Sequence, residues 1–160
     1  MPANQSNNKV QFHFLAPASL TQRTLLKSFI TSIFRKEGQR LASLSYVFCS
    51  DEYLLEINRS YLQHDYYTDI ITFDLSSESD WIEGEIYISI DRVRDNALEF
   101  DRPLKEELLR VVFHGALHLC GYKDKTPKDS KLMRAKEDEY LRLYFKSVSR
   151  GTLHLKGKKR

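Results

Sequence analysis

LLRVVFHGALHLCG, residues 108–121, is apolar nearly all the way round. A helix without a polar face belongs in an interior, so the rest of the chain must wrap around this one. It is expected over about 103–120, with Pro103 at a first-turn position and Gly121 free to take the left-handed conformation that ends a helix. Upstream, VQFHFL at 10–15, LSYVFC at 44–49, DIITFDL at 69–75 and GEIYISI at 84–90 read as four strands. Leu25, Leu26, Phe29, Ile30, Ile33 and Phe34 mark one face of a helix between the first two strands, which Gly38 can terminate. Ser50 can cap a short helix carrying Leu54, Leu55, Ile57, Tyr61 and Leu62, followed by a polar connection at Asp65–Thr68. Two more helices are expected, over about 91–100 and about 127–146, the latter with Thr126 as cap and Pro127 in its first turn. The order βαβαββααα predicts an α+β fold: a small mixed sheet of about four strands with helices packed against it.

A chain of 160 residues suits one domain, and 41% hydrophobic residues, 12% aromatics, 6 Gly and 4 Pro exclude disorder and low complexity. The single domain is expected to span 1–160, with a flexible N-terminus at 1–9 and a basic C-terminal tail at about 147–160. No apolar run reaches the roughly 18–20 residues of a membrane span, and MPANQSNNKV lacks a signal peptide's apolar centre, so a cytoplasmic protein is expected. Cys49 and Cys120 form no CxxC and suggest neither a disulfide framework nor a cysteine-only zinc site. Charge is uneven: residues 1–139 carry 18 Lys+Arg against 22 Asp+Glu, and residues 140–160 carry 7 against 0. Such a tail can hold a polyanion by counterion release, or can serve only as a solvated end.

His114 and His118 lie four apart on the apolar helix, so their side chains leave one face a turn apart and can converge on one ion. An unpaired polar ring in an apolar interior costs roughly 1–3 kcal/mol, and two such rings need compensation. Beyond Gly121 the chain turns back, and Asp124 is the natural third ligand. HxxxHxxGxxD reproduces the layout of the zinc-protease motif HExxHxxGxxH, a zincin-like metal helix with aspartate in last place. Two His and one carboxylate, with a fourth position left to water, suit a catalytic zinc, one per chain. The alternative role for Asp124 is to cap the next helix. Gly115 stands where a protease has its glutamate base, which disfavours peptide hydrolysis. A phosphodiester is less demanding, because the metal polarises a phosphoryl oxygen and lowers the pKa of bound water from 15.7 towards about 7.

HGALHLCGYKDK at 114–125 resembles the HGxLHLxGYDH signature of the YbeY-type bacterial endoribonucleases. INRSYLQHDYYTDIITFDL at 57–75 is similar to that family's LNxxYRxxDxPTDVLSF segment, and GEIYIS at 84–89 to its GDIxIS strand. The resemblance implies a zinc-dependent, single-strand-specific endoribonuclease. Its implied role is to mature ribosomal RNA, including the 3′ end of the small-subunit RNA, and to act in ribosome quality control. Its implied partners are single-stranded RNA and the small ribosomal subunit.

The sequence departs from the family at three places. Asp124 aligns with the third histidine, which adds a negative charge to the ligand set. Leu62 aligns with an arginine, and Arg59, on nearly the same helix face, is the replacement phosphate-binding cation or else an ordinary surface arginine. Tyr67 stands in place of proline. His64 and Lys123 are further RNA-binding candidates, with solvated loop cations as the plainer reading. Cys120 is expected as a packed thiol, Glu137 as part of a solvated acidic face, KEDE at 136–139, rather than a residue orienting a ligand. Tyr61, Tyr66 and Tyr67 are expected at core edges rather than stacked on bases. No catalytic acid or base is identified. The competing functions are a metal-dependent protease or peptidase and a non-catalytic ribosome-associated zinc protein.

Overall fold

The computed structural model describes residues 9–77 and 80–158, with side chains through residue 150. Nine elements follow in the expected order: β1 (Val10–Phe14), α1 (Arg23–Lys36), β2 (Arg40–Cys49), α2 (Asp51–Leu62), β3 (Ile70–Asp74), β4 (Trp81–Ser89), α3 (Ile90–Glu99), α4 (Leu104–Leu119) and α5 (Pro127–Lys158). The sheet has the order β1-β2-β4-β3. β1 and β4 run parallel to the central β2, and β3 pairs antiparallel with β4 as an edge strand. The sheet is therefore mixed, and the fold is α+β.

α4 is the buried helix, as its all-round apolar sequence requires. Val112, Phe113, Ala116 and Leu117 are wholly enclosed. On the sheet side the contact is close: a Cβ at Gly115 would lie 2.7 Å from Ile86 Cδ1 and 3.1 Å from Ile70 Cδ1, and one at Gly84 would lie 2.6 Å from Leu119 Cδ1. A missing Cβ on each partner lets helix and strand approach, and the buried Tyr46 hydroxyl donates to the Val112 carbonyl at 2.8 Å. Elsewhere α4 meets α1 and α5 through Phe113, which packs on Phe29 and Tyr144 with centroids 5.3 and 5.9 Å away. α2 covers the opposite face of the sheet with Leu54, against Cys49 and Ile71.

Several local signals act as expected. The Ser50 hydroxyl accepts from the Tyr53 amide and the Thr126 hydroxyl from the Asp129 amide, capping α2 and α5. Gly38 and Gly121 have φ of +75° and +106°. Other boundaries differ. β2 starts at Arg40 and β4 at Trp81, because Arg40 pairs with Trp81 in a parallel ladder that extends past the apolar alternation in both strands. Gly84 lies inside β4, not at its start. Pro103 caps α4 from outside its first turn. α5 continues to Lys158, so most of the expected tail at 147–160 is helical, and of the expected flexible N-terminus residues 1–8 lie outside the described residues. Among the described residues no helix is long and apolar enough to cross a membrane.

Candidate metal centre

The last two turns of α4 present His114 and His118 on one face, ring centroids 4.7 Å apart and nearly perpendicular. The helix closes with the Gly121 amide on the His118 carbonyl and the Tyr122 amide on the Leu117 carbonyl. The chain then reverses and brings Asp124 back. Its Oδ2 lies 3.2 Å from His114 Nε2 and 3.3 Å from His118 Nε2, and all three donor atoms lie within 4.8 Å of one another. Donors about 2.0–2.1 Å from a tetrahedral zinc stand roughly 3.3 Å apart, so the two histidine–aspartate spacings fit.

The returning loop is fastened from outside. Tyr122 donates to Glu37 Oε1 at 2.6 Å, Tyr140 donates to Glu37 Oε2, and Lys136 Nζ lies 3.4 Å from the same carboxylate. Glu37 thus joins the end of α1 to the loop and to α5. Cys120 packs against the core, where burial, and then the charge of Glu37, push its thiol up to about 12, and it lies outside the His114, His118 and Asp124 group.

Behind His114 stands Glu137 of α5, and here the solvated acidic face expected from KEDE is corrected. Glu137 is 5% exposed. Its Oε2 is 2.7 Å from His114 Nδ1, and its Oε1 accepts from Arg110 Nη1 at 3.0 Å. Arg110, equally enclosed, also pairs with Asp138 at 2.8 Å. Burial alone would lower the pKa of His114, but the hydrogen bond and charge of Glu137, helped by Asp124 and Asp69, raise it above the ordinary value. The sequence signal for Glu137 was present: Met133, Glu137, Tyr140, Leu141 and Tyr144 continue one buried stripe, which the neighbouring charges obscured. Arg110 carried a signal too, as a cation inside an apolar run one turn before His114.

The site opens into a cleft of about 760 Å³, lined among others by Asp69, Asn96, Phe100, Arg102, Lys125 and Arg134. Asp69 accepts from Asn96 Nδ2 at 3.4 Å, and burial raises its carboxyl above the usual aspartate range against the pull of His114. His64 lines the cleft and stacks on Tyr66, centroids 5.1 Å apart, with the Tyr66 hydroxyl 3.0 Å from its Nδ1. Leu62 also lines it, whereas Arg59 and Lys123 do not. Arg59 is paired with Asp65 on the outer surface. Tyr61, Tyr66 and Tyr67 are all exposed; Tyr61 packs edge-on against Phe73 at the margin of the core, centroids 6.1 Å apart, and of the three only Tyr66 lines the cleft. Gly115 faces the sheet, where its missing Cβ is required, so no side chain at that position could act in the cleft.

The chain is similar to known proteins along most of its length. The sequence profile of the family described as Endoribonuclease YbeY matches residues 5–144. A Cytophaga hutchinsonii protein named Endoribonuclease YbeY is 56% identical over 124 residues, which is 78% of this chain and 87% of that one. A Flavobacterium psychrophilum protein of the same name is 47% identical over 135 residues, 84% of this chain and 96% of that one. The solution structure of TM1509 from Thermotoga maritima is similar in fold, with a TM-score of 0.60 and 31% identity over 88% of this chain and 93% of that one.

Proposed function

The chain belongs to the endoribonuclease YbeY family, and from that premise we propose that it cuts single-stranded RNA with one zinc ion held by His114, His118 and Asp124. The observation that carries the reading is the convergence of two Nε2 atoms on one Asp124 oxygen at 3.2 and 3.3 Å, within the lining of a cleft of about 760 Å³. Zinc, when bound, supplies a Lewis acid for the phosphoryl oxygen and makes water acidic enough to act near neutral pH.

The protein's own groups supply the rest. Glu137 takes the Nδ1 proton of His114 as a hydrogen bond, which directs the Nε2 lone pair at the ligand site. Arg110 holds Glu137 in that pose. Tyr122 and Glu37 fix the loop that carries Asp124. Asp69, readier than most aspartates to hold a proton, lines the same cleft and is the candidate to protonate a leaving group. His64, on its Tyr66 platform, is the RNA contact of the three expected from sequence that the cleft supports.

The RNA in question is ribosomal, with maturation of the small-subunit 3′ end and quality control of ribosomes in the cytoplasm as the setting. Peptide hydrolysis is disfavoured because the position of the protease base is filled by the sheet. The test offers labelled single-stranded RNA, duplex RNA and casein, each with and without chelator. Only single-stranded RNA should be cut, and only without chelator. Chelator-sensitive cleavage of casein would favour the protease, and zinc binding without any cleavage would favour a non-catalytic role.

A further inference from the structure

Four basic side chains line the cleft: Arg102, Arg110, Lys125 and Arg134. Two are already committed. Arg102 pairs with Glu107 at 3.1 Å, and Arg110 with Glu137 and Asp138. Stripping a cation from a buried carboxylate leaves an uncompensated charge, so neither is available to an incoming phosphate at low cost. Lys125 and Arg134 are exposed and have no ion pair or hydrogen bond among the described residues. Their position is also specific. Ser130, Met133, Arg134 and Glu137 line the cleft at helical spacing, so they form one stripe of α5. Arg134 therefore lies about one turn, roughly 4.5 Å of axial rise, before the carboxylate that touches His114. Lys125 directly follows Asp124. Two free cations thus approach the metal centre from two separate elements, while the wall at α2 presents apolar Leu62.

We propose that Arg134 and Lys125 are the phosphate-binding side chains of this cleft, gripping the RNA backbone beside the scissile phosphodiester. The guanidinium can accept a phosphate through two parallel hydrogen bonds, and the ammonium adds a point charge. With cations at the start of α5 and in the metal loop, the strand crosses the site along α5. Arg59, held by Asp65 on the outer surface, is not needed for this grip. The proposal rests on the endoribonuclease reading, and its test separates the two.

The probe is a short single-stranded 2′-O-methyl oligoribonucleotide, with affinity measured by fluorescence anisotropy across a salt series on the zinc-loaded full chain. For single strands the slope of log affinity against log salt is about −0.7 per phosphate contact, so Arg134→Ala and Lys125→Ala should each flatten it by about 0.7 and together by about 1.4. Arg134→Lys should keep the slope. Lys128→Ala, which removes a charge from the far side of α5, should leave both slope and affinity alone. Zinc content should equal wild type in every variant, which separates loss of grip from loss of the site. An unchanged slope in the double variant overturns the proposal, as does a loss confined to Arg59→Ala, while cleavage of natural RNA by the wild type would still uphold the endoribonuclease reading. A wild-type chain that neither binds nor cuts RNA refutes both.

Discussion

Replacing Glu137 by Gln tests how the proposed metal ligand His114 is held. The change is nearly isosteric, so it deletes a charge without opening a cavity, and the amide oxygen can satisfy either Arg110 or His114 but not both as the carboxylate does. Arg110 keeps Asp138 at 2.8 Å, so the destabilisation should fall short of the 3–5 kcal/mol of a fully orphaned buried pair, at about 1–3 kcal/mol. Loss of a carboxylate behind a ligating histidine typically costs 10–100-fold in metal affinity, or about 1.4–2.7 kcal/mol. The pH dependence carries a sign. In the metal-free protein Glu137 raises the pKa of His114 despite burial. The stability gained from protonated His114 is therefore complete below the unfolded value of ~6.5 and is lost as pH rises through the folded value. The stability gap between wild type and Glu137→Gln should be widest below ~pH 6.5 and narrow above it, to the part owed to Arg110. Zinc affinity from competition with a chromophoric chelator, with urea denaturation of the metal-free forms across pH, measures both effects. Wild-type zinc affinity in the variant, together with an unaltered pH profile, would refute the claim that this carboxylate holds His114.

At the proposed third ligand, Asp124→His should retain zinc and Asp124→Ala should bind it at least tenfold more weakly, both read by metal analysis after dialysis. Gly115→Ala gains roughly 1 kcal/mol of helix propensity and loses about 1–3 to overpacking against Ile86 and Ile70, so urea unfolding should show a net loss of about 1 kcal/mol. Gly115→Glu should be worse and should not acquire protease activity, as a casein assay would show. The half-buried carboxyl of Asp69, with its pKa raised, opposes folding once ionised; the penalty is absent below the unfolded value of ~3.9, grows from there as pH rises and is complete above the folded one. Asp69→Asn should therefore raise the melting temperature of the metal-free protein at neutral pH, lose that gain below ~pH 4, and slow RNA cleavage, a combination that calorimetry and a gel assay can deny.

What the sequence disclosed was what the chain does locally. His114 and His118 a turn apart, Gly121 reversing the chain and Asp124 following are all set within one helix and its exit, and the structure brings these three side chains together. The order of elements was legible for the same reason, since periodicity and caps are short-range. Contacts between distant elements were not. Glu137 reaches His114 only because α5 docks across α4, and a run of charges conceals that docking. The outer ends of β2 and β4 exist because Arg40 faces Trp81 in a ladder, not because their own residues alternate. Gly115 was legible as the absence of a base, yet its cause lies in Ile86 and Ile70, on strands far away in the chain. The unpaired cations of the cleft were missed because exposure and freedom from a carboxylate are properties of the folded surface; Lys123 and Lys125 look alike in sequence, and only Lys125 lines the cleft.

The close seat of α4 on the sheet bears on which ion the site prefers. The histidines ride on the helix, whereas Asp124 is tied through its loop to Glu37 at the end of α1. Substitution at Gly84 or Gly115 must shift the helix or its neighbours by tenths of an ångström, and the loop need not follow. Where the helix itself moves, the spacings of 3.2 and 3.3 Å change with it, and a wider triangle suits the longer bonds of larger divalent ions better than the short ones of zinc. Selectivity among metals at the proposed site would in that sense depend on two glycines outside the ligand set, and competition between zinc and manganese in Gly84→Ala tests it.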